Sequence, residues 1–173
     1  MGKLIFITGS TRSGKSRLAV EKAMAISDKN VAFVATCIPE DDEMKRRVSL
    51  HKKNRPSCWM TIEAAEDIAK ELKAVKAKSE VVIIDCLTLF VSNLLMRGRS
   101  ENQIKRKVLD TIEFIAKAAH TTIIVSNEVG SGIVPENKLA RKFRDLAGIA
   151  NQLIAEKSDE AYLVVAGIPV KIK

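Results

Sequence analysis

The stretch G-S-T-R-S-G-K-S, Gly9 to Ser16, constrains this chain more than any other. It matches the pattern G-x-x-x-x-G-K-S, follows the apolar run K-L-I-F-I-T (Lys3 to Thr8), and precedes R-L-A-V-E-K-A-M-A-I, which reads as a helix. A strand, a glycine loop and a helix in that order form a cradle for polyphosphate. Gly9 and Gly14 let backbone N–H groups curl around phosphate oxygens, with Ser10, Thr11, Arg12 and Ser13 completing the loop. The following helix contributes its positive end, Lys15 a point charge at the β/γ-phosphates, and Ser16 a hydroxyl able to hold Mg²⁺. A chance glycine turn is the alternative, and the flanking elements argue against it.

The strand signature recurs in V-A-F-V-A-T (Val31 to Thr36), V-V-I-I-D-C (Val81 to Cys86) and T-T-I-I-V-S (Thr121 to Ser126). Such near-continuous β-branched runs suit strands buried on both faces. Helical periods lie between them: Ala65, Ile68, Leu72 and Val75; Ile104, Val108, Ile112, Ile115 and Ala119; Leu139, Phe143, Leu146, Ala150 and Leu153. The alternation predicts an α/β fold, a mainly parallel sheet with helices on both faces. Near the C-terminus, A-Y-L-V-V-A and P-V-K-I are separated only by Gly167 and Ile168. That link is too short for a crossover helix, so the last strand is expected to be antiparallel.

The 173 residues, with no repeat, low-complexity tract or linker, read as a single P-loop nucleotide-binding catalytic domain, 1–173. The apolar fraction of 46% with only 4% aromatics predicts a core of Ile, Leu, Val and Ala, as in α/β layers rather than a sandwich. Cys37, Cys58 and Cys86 have no C-x-x-C spacing and no even count, so neither a disulfide framework nor a zinc site is signalled. With no signal-peptide core and no apolar run long enough to span a membrane, a soluble cytoplasmic protein is expected. The formal net charge of +8 fits a polyphosphate enzyme as well as a nucleic-acid binder. Trp59 is the only aromatic near the basic stretch Lys45 to Arg55, so stacking on bases has little to work with and no nucleic-acid partner is expected.

Asp85 closes a buried strand at the end where a parallel sheet presents its ligand crevice. Beside a P-loop, that carboxylate reads as Mg²⁺ support together with Ser16; a plain strand-end or helix-capping aspartate is the alternative. His120 reads as a residue at a helix C-terminus facing free carbonyls. His51 lies in D-D-E-M-K-R-R-V-S-L-H-K-K, a segment acidic first and basic last, as a helix of favourable dipole sense would be. Arg47 shares its face, and Arg55 before Pro56 marks a turn. Cationic neighbours lower an imidazole's pKa and leave a neutral ring able to attack phosphorus; a solvent-facing histidine on a basic helix is the alternative.

Four stretches together carry a resemblance: G-S-T-R-S-G-K-S; D-D-E-M-x-x-R-x-x-x-H-x-x-x-R-P-x-x-W-x-T-x-E; N-E-V-G-S-G-I-V-P-E-N-K-L-A-R-K-F-R-D; and V-V-A-G-I-P-V-K-I-K. Over nearly its whole length the chain resembles the bifunctional adenosylcobinamide kinase/adenosylcobinamide-phosphate guanylyltransferase family of cobalamin biosynthesis. The resemblance implies a RecA-like fold and a homotrimer. It also implies two reactions: phosphorylation of the aminopropanol hydroxyl of adenosylcobinamide by ATP or GTP, then transfer of GMP from GTP to adenosylcobinamide phosphate through a guanylylated histidine, with release of pyrophosphate. By position, that histidine would be His51. Gly9 to Ser16 would bind GTP phosphates, and Ala35, Thr36, Cys37, Lys52, Lys53, Asn54, Arg55, Glu63 and Asp85 would complete the nucleotide site.

One polyphosphate cradle can serve both steps. Phosphoryl transfer needs in-line positioning and charge neutralisation, which Lys15, Arg12 and Mg²⁺ would supply. Nucleotidyl transfer needs His51 to reach the α-phosphorus and split one displacement into two, leaving pyrophosphate in the P-loop. Two other readings compete: a P-loop small-molecule kinase in which His51 only lines the phosphate site, and a RecA-like nucleic-acid module.

Overall fold

The computed structural model describes residues 2–39, 41–53, 55–75 and 79–173; for Arg47 and residues 50–53 it describes the backbone alone. Seven strands form one sheet: β1 (Leu4–Gly9), β2 (Val31–Ala35), β3 (Met60–Glu63), β4 (Val81–Asp85), β5 (Thr121–Val125), β6 (Glu160–Val165) and β7 (Ile168–Lys171), in the spatial order β3-β2-β4-β5-β1-β6-β7. Every pairing is parallel except β6 with β7.

Strand side chains alternate between two cores. Leu4, Phe6, Ala32, Val34, Val82, Ile84 and Ile124 enter one, while Ile5, Ile7, Val31, Phe33, Val81, Ile83, Ile123 and Val125 enter the other. Because both faces are covered, the strands read as unbroken apolar runs. Helix α1 (Lys15–Ile26) covers the second core through Ala19 and Ala23. The first core is closed by α3 (Ile68–Glu71), α4 (Leu87–Met96), α5 (Glu101–Ala116) and α6 (Lys138–Lys157). Burying a side chain such as Phe90, with no exposed surface, contributes about 1.5–3 kcal/mol.

Local signals set the helix ends. Ser100 and Gln103 form a reciprocal capping box at the start of α5, and the Asn137 side chain accepts from the Ala140 N–H at the start of α6. On α5 the stripe Ile104, Val108, Ile112 and Ile115 is buried as its period predicts. On α6 the stripe begins later than expected, since Leu139 is exposed and burial starts in earnest at Leu146. The expected helix from Ala65 to Val75 is only the single turn α3 followed by a 3-10 turn, Leu72–Ala74. Asp67 caps that turn by accepting from Lys70 N–H and also binds Lys107 of α5.

His120 lies beyond its expected place. Helix α5 ends at Ala116, and His120 sits in the link to β5, half-buried, with its Nε2 lacking a hydrogen-bond partner among the described residues. The β6–β7 hairpin forms as its short link requires: Ala166 and Gly167 adopt φ of 51° and 84°, the left-handed pair that matches strand twist in a two-residue turn.

Candidate nucleotide site

The loop from Gly9 to Gly14 joins β1 to α1 at the C-terminal edge of the sheet. Gly9 takes φ 154°, and a Cβ there would lie 2.4 Å from the Val164 carbonyl oxygen. Gly14 takes φ 101° immediately before α1, where a Cβ would lie 3.3 Å from Gly167 Cα. Both positions therefore need glycine for conformation and for space. The hairpin braces the loop from the far side: Gly167 N–H donates to Ser13 O at 2.9 Å, and Arg17 Nη2 donates to Gly167 O at 3.2 Å. The motif V-V-A-G-I-P thus does structural service for the P-loop, a role invisible until the hairpin is folded.

Lys15 is 7% exposed and its ammonium donates to Ser10 O at 2.6 Å, so it is already aimed into the loop. Burial pushes its pKa below the ordinary value, and the charges of Asp85 and Cys86 act in the opposite direction. Ser16 Oγ donates to Asp85 Oδ2 at 2.9 Å, although β5 separates β4 from β1, the strand that leads into the loop before Ser16. The register explains the meeting: Ile7 and Asp85 both pair with Val125 of β5, so β4 ends level with Ile7 while β1 runs on to Gly9 and the loop that returns to Ser16. One hydroxyl and one carboxylate side by side suit Mg²⁺, which uses few protein oxygens and completes its octahedron with phosphate and water. A cage of three or more His, Cys, Asp or Glu side chains is absent among the described residues.

The loop after β2 is locked to β4. Thr36, with no exposed surface, donates from Oγ1 to Cys86 O and accepts from Cys86 N–H, both at 2.8 Å, while its own N–H donates to Asp85 O. Its hydroxyl is thereby engaged in holding the strand end that presents Asp85. Asn93 of α4 donates to Thr36 O at 2.8 Å and to Ala65 O at 3.0 Å, tying the loops after β2 and β3 together. Ala35 and Cys37 flank Thr36, half-buried, and Glu63 closes β3 with its side chain exposed. Neither cysteine here is an activated nucleophile. Burial, with Asp85 next in weight, pushes the Cys86 thiol up to about 11. Burial, Asp85 and Asp41 also raise that of Cys37.

Helix α2 (Asp42–Lys53) begins where Asp41 accepts from the Met44 N–H at 2.7 Å, with Asp42 and Glu43 in the first turn as its dipole favours. Arg47 and His51 lie four positions apart on it, hence on one face. The side chains of His51, Lys52 and Lys53, and Asn54 altogether, lie outside the described residues. Arg55 is described: its guanidinium stacks 3.6 Å from the Phe33 ring of β2 and sits in the field of Asp85. Since four residues span at most about 14 Å, this contact keeps the His51 backbone near the same sheet edge. Trp59 is buried, its indole donating to Asp28 O at 2.9 Å, so it is a core side chain and offers no exposed stacking face.

Sequence reasoning passed over a second polar knot on the other side of the P-loop. Asn151 of α6 accepts from Ser126 Oγ at 2.6 Å and donates to Asn127 O and to Glu128 Oε1. Glu128 N–H donates to Gly9 O at 2.9 Å, and Asn127 Nδ2 donates to Thr88 Oγ1 at 2.8 Å. The quoted motif N-E-V-G-S-G was the available signal, because it puts two polar residues directly after a buried strand.

The family described as cobinamide kinase / cobinamide phosphate guanyltransferase matches residues 5–172. The bifunctional adenosylcobalamin biosynthesis protein CobU of Salmonella typhimurium is 40% identical over 182 residues, spanning 98% of this chain and 99% of that protein. The bifunctional adenosylcobalamin biosynthesis protein CobP of Pseudomonas aeruginosa is 38% identical over 168 residues, spanning 96% and 95%. Among solved structures, the flagellar accessory protein FlaH of Methanocaldococcus jannaschii superposes with a TM-score of 0.57 at 18% identity, covering 99% of this chain and 78% of that one. The RadB recombinase gives 0.54 at 16% identity, covering 94% and 74%. At such identities the likeness is one of fold, the RecA-like P-loop architecture.

Proposed function

The chain belongs to the cobinamide kinase / cobinamide phosphate guanyltransferase family, and on that premise we propose that it phosphorylates adenosylcobinamide with ATP or GTP and then transfers GMP from GTP to adenosylcobinamide phosphate through a guanylylated His51. Adenosylcobinamide-GDP and pyrophosphate are the products. The observation that carries this reading is the convergence of Lys15, Ser16 and Asp85 at one end of the sheet, with Arg55 bringing the basic end of α2 to the same edge.

In the phosphorylation step the P-loop amides and Lys15 bind the triphosphate, and Arg12 in the loop adds charge at the γ-phosphoryl. Ser16 and Asp85 would hold Mg²⁺, which when bound supplies charge neutralisation between phosphates. Ala35, Cys37 and Glu63, at strand ends joined through Asn93 and the Ala64 N–H to Ala35 O bond, form the wall for the nucleoside, and buried Thr36 holds that wall in place. In the second step the same cradle receives the leaving pyrophosphate, while His51, flanked by Lys52, Lys53, Asn54 and Arg55, attacks the α-phosphorus. The raised thiols of Cys37 and Cys86 favour the imidazole over the nearest alternative nucleophiles.

The reading takes residues 1–173 as one catalytic domain acting in the cytoplasm. Among the described residues, no helix is long and apolar enough to cross a membrane. It also takes the enzyme as a homotrimer, for which exposed Val165, Ile168, Val170 and Ile172 on the β6–β7 edge offer apolar surface. Incubation with adenosylcobinamide, GTP and Mg²⁺, followed by chromatography of the corrinoids, tests the two reactions. Successive appearance of the phosphate and the GDP-linked product is expected. Nucleotide consumption with an unchanged corrinoid would overturn the reading.

A further inference from the structure

The two reactions differ in what their acceptors require. A phosphate monoester is already ionised near neutral pH, so its oxygen attacks without losing a proton. The corrinoid's hydroxyl must lose one as its oxygen bonds to phosphorus. None of Lys15, Ser16, Asp85 or Arg12 is suited to take that proton, being cationic, neutral or committed to the metal.

Glu128 meets the requirement by its place in the fold. It follows β5, the strand between β1, which carries the P-loop, and β4, which carries Asp85. Its N–H is bonded to Gly9 O, the first residue of the loop, at 2.9 Å, while the preceding Asn127 reaches Thr88 Oγ1 and, at 3.8 Å, Cys86 Sγ. The residue is therefore held between the two halves of the phosphate site. Among the described residues its carboxylate is oriented through one oxygen: Asn151 Nδ2 donates to Oε1 at 3.3 Å, and buried Asn151 is itself fixed by Ser126.

We propose that Glu128 is the general base of the phosphorylation step, and that it serves no such role in guanylyl transfer. The acceptor's O–H proton moves to a Glu128 carboxylate oxygen, and the acceptor oxygen bonds to the γ-phosphorus. The bond from that phosphorus to the β,γ-bridging oxygen breaks, its electron pair leaving on the nucleoside diphosphate. Asn151 is the positioning residue that aims the carboxylate. The assignment rests on the kinase reading above.

Two substitutions separate this role from a structural one. Glu128→Gln keeps the length and an oxygen that can accept from Asn151, but cannot take a proton. Glu128→Asp keeps the charge but withdraws it from Asn151. As a base, Glu128→Gln should lower kcat for phosphorylation about a hundredfold, with the nucleotide KM within about twofold, and Glu128→Asp should be the milder variant. Guanylyl transfer to supplied adenosylcobinamide phosphate should stay within about threefold in both. A Glu128→Asp variant more impaired than Glu128→Gln, near-normal phosphorylation by Glu128→Gln, or equal loss of both reactions would overturn the assignment. A wild-type chain that transfers GMP yet never phosphorylates the corrinoid would instead overturn the kinase reading beneath it.

Discussion

The Ser16 hydroxyl donates to Asp85 Oδ2 at 2.9 Å across 69 positions of sequence, joining the start of α1 to the end of β4. Neither residue approaches the other by local structure. The contact exists because β1 and β4 flank β5 with Ile7 and Asp85 in register, so the loop leaving β1 turns back beside the end of β4. On the proposed reading the pair would hold Mg²⁺. Asp85→Asn should raise the Mg²⁺ concentration for half-maximal activity about tenfold or more in both reactions, and chelation should abolish both. An unchanged Mg²⁺ titration would leave Asp85 as a strand-end carboxylate that merely accepts from Ser16.

Lys15 is expected to matter equally to both reactions, since each moves or releases a polyphosphate anion. Lys15→Ala should lower both rates on the order of a hundredfold to a thousandfold, measured with corrinoid and with corrinoid phosphate in parallel. A guanylyl transfer rate that survived intact would separate the two sites.

Gly9→Ala tests the close approach of loop and hairpin. With a positive φ and a Cβ 2.4 Å from the Val164 carbonyl oxygen, the change should destabilise the fold by about 1–3 kcal/mol and weaken nucleotide binding. Denaturant melts of the wild-type and variant chains, with and without GTP, measure both effects. Equal stability would mean that the hairpin yields freely.

His120 predicts a pH effect on stability. Burial lowers its pKa from the ordinary 6.5, so the unfolded chain binds more protons than the folded one in the window below that value. Its contribution is present above 6.5 and is lost as the pH falls through the depressed folded value. His120→Gln should make the decline in melting temperature below about pH 6.5 shallower. An identical decline in both chains would contradict the assignment.

Much of this architecture was legible because single elements carried their own signals. The P-loop was explicit in Gly9 to Ser16, and strands buried on both faces wrote themselves as Val31–Ala35, Val81–Asp85 and Thr121–Val125. The short link, read at Gly167 and Ile168 and found one residue earlier at Ala166 and Gly167, dictated the antiparallel end. Strand β3 was not legible: only Ile62 of its four residues is buried, so neither alternation nor an apolar run is visible. Helix α4 escaped because Leu87, Phe90, Val91, Leu94 and Leu95 are buried together, and a short helix apolar on most sides shows little period. At the site, the roles of Thr36, Asn93 and Asn151 depend on hydrogen bonds across the sheet edge, which spacing along the chain does not encode.

His51, the residue proposed to carry GMP, lies on the α2 backbone four positions before Arg55, whose guanidinium stacks on Phe33. Intact mass measurement after incubation with GTP and Mg²⁺, in the absence of corrinoid, reads the covalent intermediate itself. The wild-type chain and His120→Ala should each gain the mass of one GMP moiety with release of pyrophosphate, in a bond stable to base and broken by acid. His51→Ala should gain nothing while retaining at least part of its phosphorylation of adenosylcobinamide. A His51→Ala chain that still carried GMP would contradict the account.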